Sequence, residues 1–220
     1  MKHFSQNEIG QLEHLYKINL INSCSGFKSA NLIGSKSMDG ISNVAVFSSV
    51  THFGSSPAIL GFLMRPTTVP RNTYCNIRET GTYSINHIHD EIIEDAHHTS
   101  AKYDRNISEF DMTALREEFK VNYEVPFVKG APVQIGMRYL EEYKIKANGT
   151  IMLIGEMMDI FIKDELLRPD GFVDLSRGNV AAINGLDGYV IPEFHKRMPY
   201  QRPKKVNRRI SRNIENIDLC

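Results

Sequence analysis

Val44 and Val46 alternate with polar or small neighbours inside residues 41–50, and short apolar runs follow at residues 58–64 and 82–87. A period of two over such short spans predicts three β-strands. The longest pattern lies further on, where residues 132–147 and 150–163 flank Asn148-Gly149. That pair suits a type I′ turn and predicts a long hairpin. Helical spacing is read in two places. Residues 90–102 set Ile92, Ile93 and Ala96 on one face, with Asp90 as an N-terminal cap. The second helix begins at Arg71-Asn72-Thr73-Tyr74, with Pro70 in the first turn, and ends at Gly81. Pro169-Asp170-Gly171 marks a further turn, and no internal repeat is present. The expected architecture is mainly β, an antiparallel barrel with helices packed outside.

The chain has 220 residues, enough for one domain with a sizeable core. Its 26 basic and 26 acidic residues cancel, so no overall field draws it to nucleic acid or an anionic membrane. No apolar run reaches the length of a membrane span, and the N-terminus lacks the apolar core of a signal peptide. Cys24, Cys75 and Cys220 are odd in number and far apart, which argues against a disulfide framework. A reducing, cytoplasmic location is the expectation.

Two segments carry candidate chemistry. Phe47-Ser48-Ser49-Val50 closes the first strand with two hydroxyls, and Arg65-Pro66-Thr67-Thr68-Val69-Pro70-Arg71 sets two guanidinium groups beside two hydroxyls before a helix. Guanidinium donors and the free N–H groups of a helix start converge readily on a dianion. Each piece has a plainer reading, since serines end strands, threonines cap helices and most arginines are solvated. Their spacing favours a shared pocket, because the hairpin between them returns the chain to the strand end it left.

Asn43-Val44-Ala45-Val46-Phe47-Ser48-Ser49, Ser56-Pro57-Ala58-Ile59-Leu60-Gly61-Phe62, and Arg65 to Arg71-Asn72-Thr73 follow one another in an ordered set. The set continues through Asn76-Ile77-Arg78-Glu79-Thr80-Gly81, Tyr83-Ser84-Ile85-Asn86, His98-Thr99-Ser100-Ala101-Lys102-Tyr103, Ser108-Glu109-Phe110 and Ile151-Met152-Leu153-Ile154-Gly155-Glu156. It resembles the flavin reductase-like, FMN-binding split-barrel proteins, which include flavoredoxin. Ala58 departs from the family pattern, which has a second proline there. The resemblance implies a split β-barrel over residues 1–200, a basic tail over 201–220, and a homodimer with flavin near the subunit interface. It implies FMN as cofactor, NADH or NADPH as co-substrate and a further electron acceptor. By resemblance the flavin is bound by Asn43, Phe47, Ser48, Ser49, Val50, Arg65, Thr67, Thr68, Arg71 and Thr73, with His98, Thr99 and Ser100 near the open face of the ring. No side chain is needed as acid, base or nucleophile, because the flavin carries the hydride chemistry. An electron carrier like flavoredoxin, or a binding domain without turnover, are the alternatives to a reductase.

His87-x-His89 with Asp90, and His97-His98, suggest a metal at first sight, but their spacing matches no standard closed site and none is expected. From Lys196 to Arg212 the chain carries eight Lys or Arg and no acid. Without an aromatic platform beyond Tyr200, an interaction arm or a solvated tail is expected there before nucleic-acid binding.

Overall fold

A computed structural model describes residues 1–203. Two N-terminal helices, α1 (Gln6–Gln11) and α2 (His14–Cys24), precede strands β1 (Lys28–Ser29), β2 (Asn31–Lys36), β3 (Ser42–Phe47), β4 (Thr51–Ser55) and β5 (Ala58–Met64). Helix α3 (Asn72–Thr80), β6 (Thr82–His87) and α4 (Ile93–His98) follow. The chain continues with β7 (Glu117–Glu118), β8 (Phe127–Val128), β9 (Val133–Lys144), β10 (Ile151–Ile162), β11 (Ala182–Asn184) and β12 (Gly188–Val190). No helix among the described residues is long and apolar enough to cross a membrane.

Seven strands form one antiparallel sheet in the order β3-β2-β6-β9-β10-β5-β4. Laid flat, seven strands are about 29 Å wide from edge to edge. The two edges, β3 and β4, are joined by Ser48, Ser49 and Val50, a link that reaches ~14 Å at most. The sheet therefore has to curl until its edges approach, while β3 keeps β2 as its sole ladder partner among the described residues. One side of the curled sheet encloses Ile33, Phe62, Ile77, Tyr83, Ile85 and Leu153. The other packs Leu32 and Val44 against Ala96, Phe110, Val128 and Ile183. Leu32 and Ile33 thus belong to different cores, and β2 is buried on both faces. Gly34 is required there, because a Cβ would run into the carbonyl of Pro126.

The strands expected at 58–64 and 82–87 have those bounds. Five other expectations need correction. The strand expected over 41–50 ends at Phe47, because Ser48–Val50 leave the ladder to make the link to β4. The helix expected over 90–102 is a 3₁₀ turn, Asp90–Ile92, followed by α4 only to His98. Thr99 Oγ1 donates to the Ala96 carbonyl at 2.7 Å, a side-chain bond that competes with the ladder where the helix stops. Asp90 is a residue of the 3₁₀ turn and not its cap, accepting from Glu91 N and Asn179 Nδ2. The β9–β10 turn is wider than type I′. Gly149 N–H donates to Ile145 O at 2.8 Å, and of Asn148 and Gly149 only the glycine has positive φ. In α3, Pro70 lies outside the first turn, since Arg71 is the N-cap, whereas Gly81 ends the helix at φ 73° as expected.

A cleft at the split in the sheet

Both candidate segments meet where the curled sheet fails to close. Ser49 Oγ donates to Leu63 O at 3.2 Å and accepts from Leu63 N at 3.0 Å, so it holds the β3–β4 link against the end of β5. The β5–α3 connection then passes beside that link and delivers Arg71 to the helix start. Outside β3 opens a cleft of about 1200 Å³, larger than the ~300–1,000 Å³ of an ordinary small-ligand pocket.

Nine of the thirteen expected site residues border it: Asn43, Phe47, Ser48, Ser49, Arg65, Arg71, Thr73, Thr99 and Ser100. Val50, Thr67, Thr68 and His98 do not. Thr67 and Thr68 are exposed in the β5–α3 connection, and His98 turns its Nε2 to Tyr103 Oη at 2.7 Å. It is Tyr103 that reaches the wall. The hydroxyl of Ser49 is occupied on Leu63, so among the serine pair Ser48 has the free side chain.

The α3 side of the cleft is polar and incompletely paired. Asn43 Nδ2 donates to Thr73 Oγ1 at 3.0 Å and to Ser35 Oγ at 3.3 Å, which ties β3 to the helix start. Asn76 Nδ2 donates to the same Ser35 hydroxyl at 3.2 Å. Arg71 stands apart. As N-cap it has extended backbone, φ −131° and ψ 95°, its side chain makes no cap bond, and its Nε is buried with no partner among the described residues. A buried donor left unpaired costs ~1–3 kcal/mol, so its presence marks a place where an acceptor belongs.

The free edge of β3 supplies the next polar row. Val44 N–H points away from β2 and donates to Glu109 Oε2 at 3.1 Å. Alternate residues of an antiparallel strand present their amides to the same side, so Val46 N–H also faces the cleft. Ala45, Val46 and Phe47 furnish the apolar wall beside that edge. The opposite side comes from residues 97–105 and from the β11–β12 turn with Leu186 and Asp187. There several polar groups are paired. His97 Nδ1 lies 3.3 Å from Tyr189 Oη, and Arg105 bonds Glu79 at 2.8 Å. Glu109, Tyr103 and Arg105 are cleft residues that sequence reasoning did not single out. Glu109 stands inside the Ser108-Glu109-Phe110 motif, the one sequence signal that could have found it.

The histidines considered for a metal do not converge. His89 lies 3.6 Å from Asp90, and His97 and His98 are engaged with different tyrosines. Burial pushes the His87 ring down to about 4. Among the described residues no group of three His, Cys, Asp or Glu could hold a metal ion.

An unpaired guanidinium at an uncapped helix start, beside an apolar wall and a free strand edge, fits a flat ligand that carries a phosphate. Comparison with known proteins gives the family. Residues 28–177 match the family model for the flavin reductase like domain. A Shewanella frigidimarina NCIMB 400 protein described as a flavin reductase with a split barrel domain is 41% identical, with TM-score 0.88 over 91% of this chain and 100% of that one. Nitrilotriacetate monooxygenase component B from Bacillus cereus has TM-score 0.78 at 15% identity, over 90% of this chain and 98% of its own. Flavoredoxin of Desulfovibrio vulgaris (Miyazaki F) has TM-score 0.67 at 21% identity, over 78% of this chain and 90% of its own. At those identities the last two speak for the fold alone. A curated relative from Methanothermobacter thermautotrophicus, itself uncharacterised, is 23% identical over 76% of this chain and 81% of its own length. The chain is mainly β, shares its architecture with these split-barrel proteins, and belongs to the flavin reductase like domain family.

Proposed function

We propose that the cleft holds FMN and that the protein is an NAD(P)H-dependent flavin reductase. The observation that carries this reading is the buried, unpartnered Nε of Arg71 at the start of α3. Arg71 and Arg65 would take the phosphate, with the free N–H groups of the helix start behind them. Thr73 accepts from Asn43, which leaves its own hydroxyl proton to donate to the ligand. Val46 N–H on the β3 edge would meet the polar rim of the ring, while Ala45 and Phe47 shield its face from water. When bound, the flavin would supply the redox chemistry, accepting a hydride from a reduced nicotinamide and passing electrons to an acceptor. The chain's own part is to bind, orient and exclude water.

The same reading includes a homodimer. Helices α1 and α2 bury no residue in the single chain, and Leu15 and Phe27 are 65% and 68% exposed. Exposed apolar side chains of this size suit burial against a second copy.

The test is optical. Purified protein supplied with FMN should show bound-flavin absorbance and lose it anaerobically on addition of NADPH or NADH. Persistent colour with both nicotinamides would make it an electron carrier and not a reductase. A protein that takes up no flavin at all would refute the whole reading.

A further inference from the structure

Glu109 is the buried acid among the ionisable groups of the cleft that the binding scheme leaves unused. It borders the cleft, yet it is only 5% exposed. Its Oε2 accepts Val44 N–H at 3.1 Å on the free edge of β3, one alternate residue from the Val46 amide offered to the ligand. Among the described residues, no Lys, Arg or His comes within ion-pair distance of it. Burial raises its carboxyl above the ordinary range, with the Val44 bond pulling the other way.

Other charges face the cleft from every element around it. Arg65 and Arg71 come from the β5–α3 connection, with Cys75 from α3 itself. His97 comes from α4, Lys102, Tyr103, Asp104 and Arg105 from the segment after it, and Asp187 from the β11–β12 turn. Three of these are spoken for, Arg105 by Glu79, Tyr103 by His98 and His97 by Tyr189. A carboxylate so placed has no cation of its own and would resist any further negative charge arriving beside it.

We propose that Glu109 is the proton-holding residue of the cleft, taking up one proton from solvent when a flavin bound against β3 gains negative charge. The inference rests on the flavin reading above. Its balance is simple. A hydride from the reduced nicotinamide brings two electrons and one proton and leaves the nicotinamide oxidised. The ring then carries one more negative charge, and the Glu109 carboxylate combines with one solvent proton to become a neutral acid. The net charge of the cleft is unchanged by reduction, which spares the cost of two uncompensated negative charges in a dry wall. A purely structural Glu109 would do no more than satisfy the Val44 amide.

Glu109→Gln separates the two roles, because a glutamine oxygen still accepts from Val44 N–H but cannot titrate. FMN is first titrated onto wild type and variant by fluorescence quenching, and the midpoint potential of the bound FMN is then measured against pH. Above the ordinary carboxyl range, two protons per two electrons make the wild-type equilibrium fall a hundredfold per pH unit, or about 59 mV. The variant, with one proton, should fall tenfold, or about 30 mV. An infrared difference spectrum on reduction should gain a protonated-carboxyl band in wild type and lack it in Glu109→Gln. Equal slopes and equal infrared spectra in two FMN-loaded proteins would overturn the Glu109 inference while leaving the flavin site standing. Failure of wild type to bind FMN would overturn both.

Discussion

The two sides of the cleft are made from similar side chains but leave them in different states. On the α3 side, Arg71 has a buried donor with no partner, and the helix start that carries it has no side-chain cap. On the side of residues 97–105, three of the larger polar groups already have protein partners. His97 meets Tyr189, His98 meets Tyr103, and Arg105 meets Glu79. A paired polar group gains little from a ligand, because binding must first break what is already made. An unpaired buried one has already lost its water and gains the full bond. The α3 side should therefore govern affinity for a phosphate, and the opposite side should govern shape and access.

The largest expected effect comes from removing the unpaired donor. Arg71→Ala should weaken FMN roughly ten- to a hundredfold, the worth of one charge-assisted bond of about 1.5–3 kcal/mol. Fluorescence titration measures it, and riboflavin, which lacks the phosphate, should bind the variant and wild type alike. Equal loss for both ligands would move Arg71 from the phosphate to the ring or to the fold.

Next in size is the network that holds the α3 side in place. Asn43→Leu would leave Thr73 without its donor inside the protein and Ser35 with that of Asn76 alone, at ~1–3 kcal/mol of stability. A lowered denaturation midpoint should accompany weakened FMN binding, since β3 and the helix start would no longer be tied. An unchanged midpoint would show that the tie contributes nothing.

Arg105→Ala on the opposite side should be far milder. Its pair with Glu79 is solvent-exposed, and such pairs contribute ~0–1 kcal/mol. FMN affinity should change less than about threefold by the same titration. A loss as large as that of Arg71→Ala would erase the distinction between the two sides.

The smallest effect expected is none. FMN binding and its reduction by a nicotinamide should survive exhaustive chelation, because His89, His97 and His98 serve separate partners. Inactivation by chelator, reversed by one added metal, would require those histidines to gather.

What the sequence showed of this molecule follows from where the signal was local. Residues 58–64 and 82–87 run on into loops or a helix with clear breakers at their ends, and their strands have the expected bounds. The end of α3 at Gly81 was legible for the same reason. The stop of α4 at His98 was not, since nothing in the apolar spacing of 90–102 reveals that Thr99 would bond backward to Ala96. Long-range pairing was less accessible still. That Ser49 would occupy itself with Leu63, fourteen residues away, and that His98 would face Tyr103, are tertiary facts without a periodic signature. The arginines of the β5–α3 connection were legible because their chemistry is unusual in sequence. Glu109 was passed over because a lone acid is ordinary until its burial is known. Of the basic stretch expected to form an interaction arm or a solvated tail, residues 196–203 have no regular structure, and Arg197 bonds Asp170 at 2.6 Å with its guanidinium 4.4 Å from the Phe172 ring. Residues 204–212 of that stretch lie outside the described residues.

The central claim is that the split in the sheet holds a phosphorylated flavin, and comparing FMN with riboflavin on the unmodified protein tests it most directly. Equilibrium titrations at one ionic strength should show FMN bound at least about tenfold more tightly than riboflavin, a gap of ~1.4 kcal/mol or more. The gap should shrink as salt is raised, because charged groups supply it. Equal affinity for the two flavins at every salt concentration, or no affinity for either, would contradict the account.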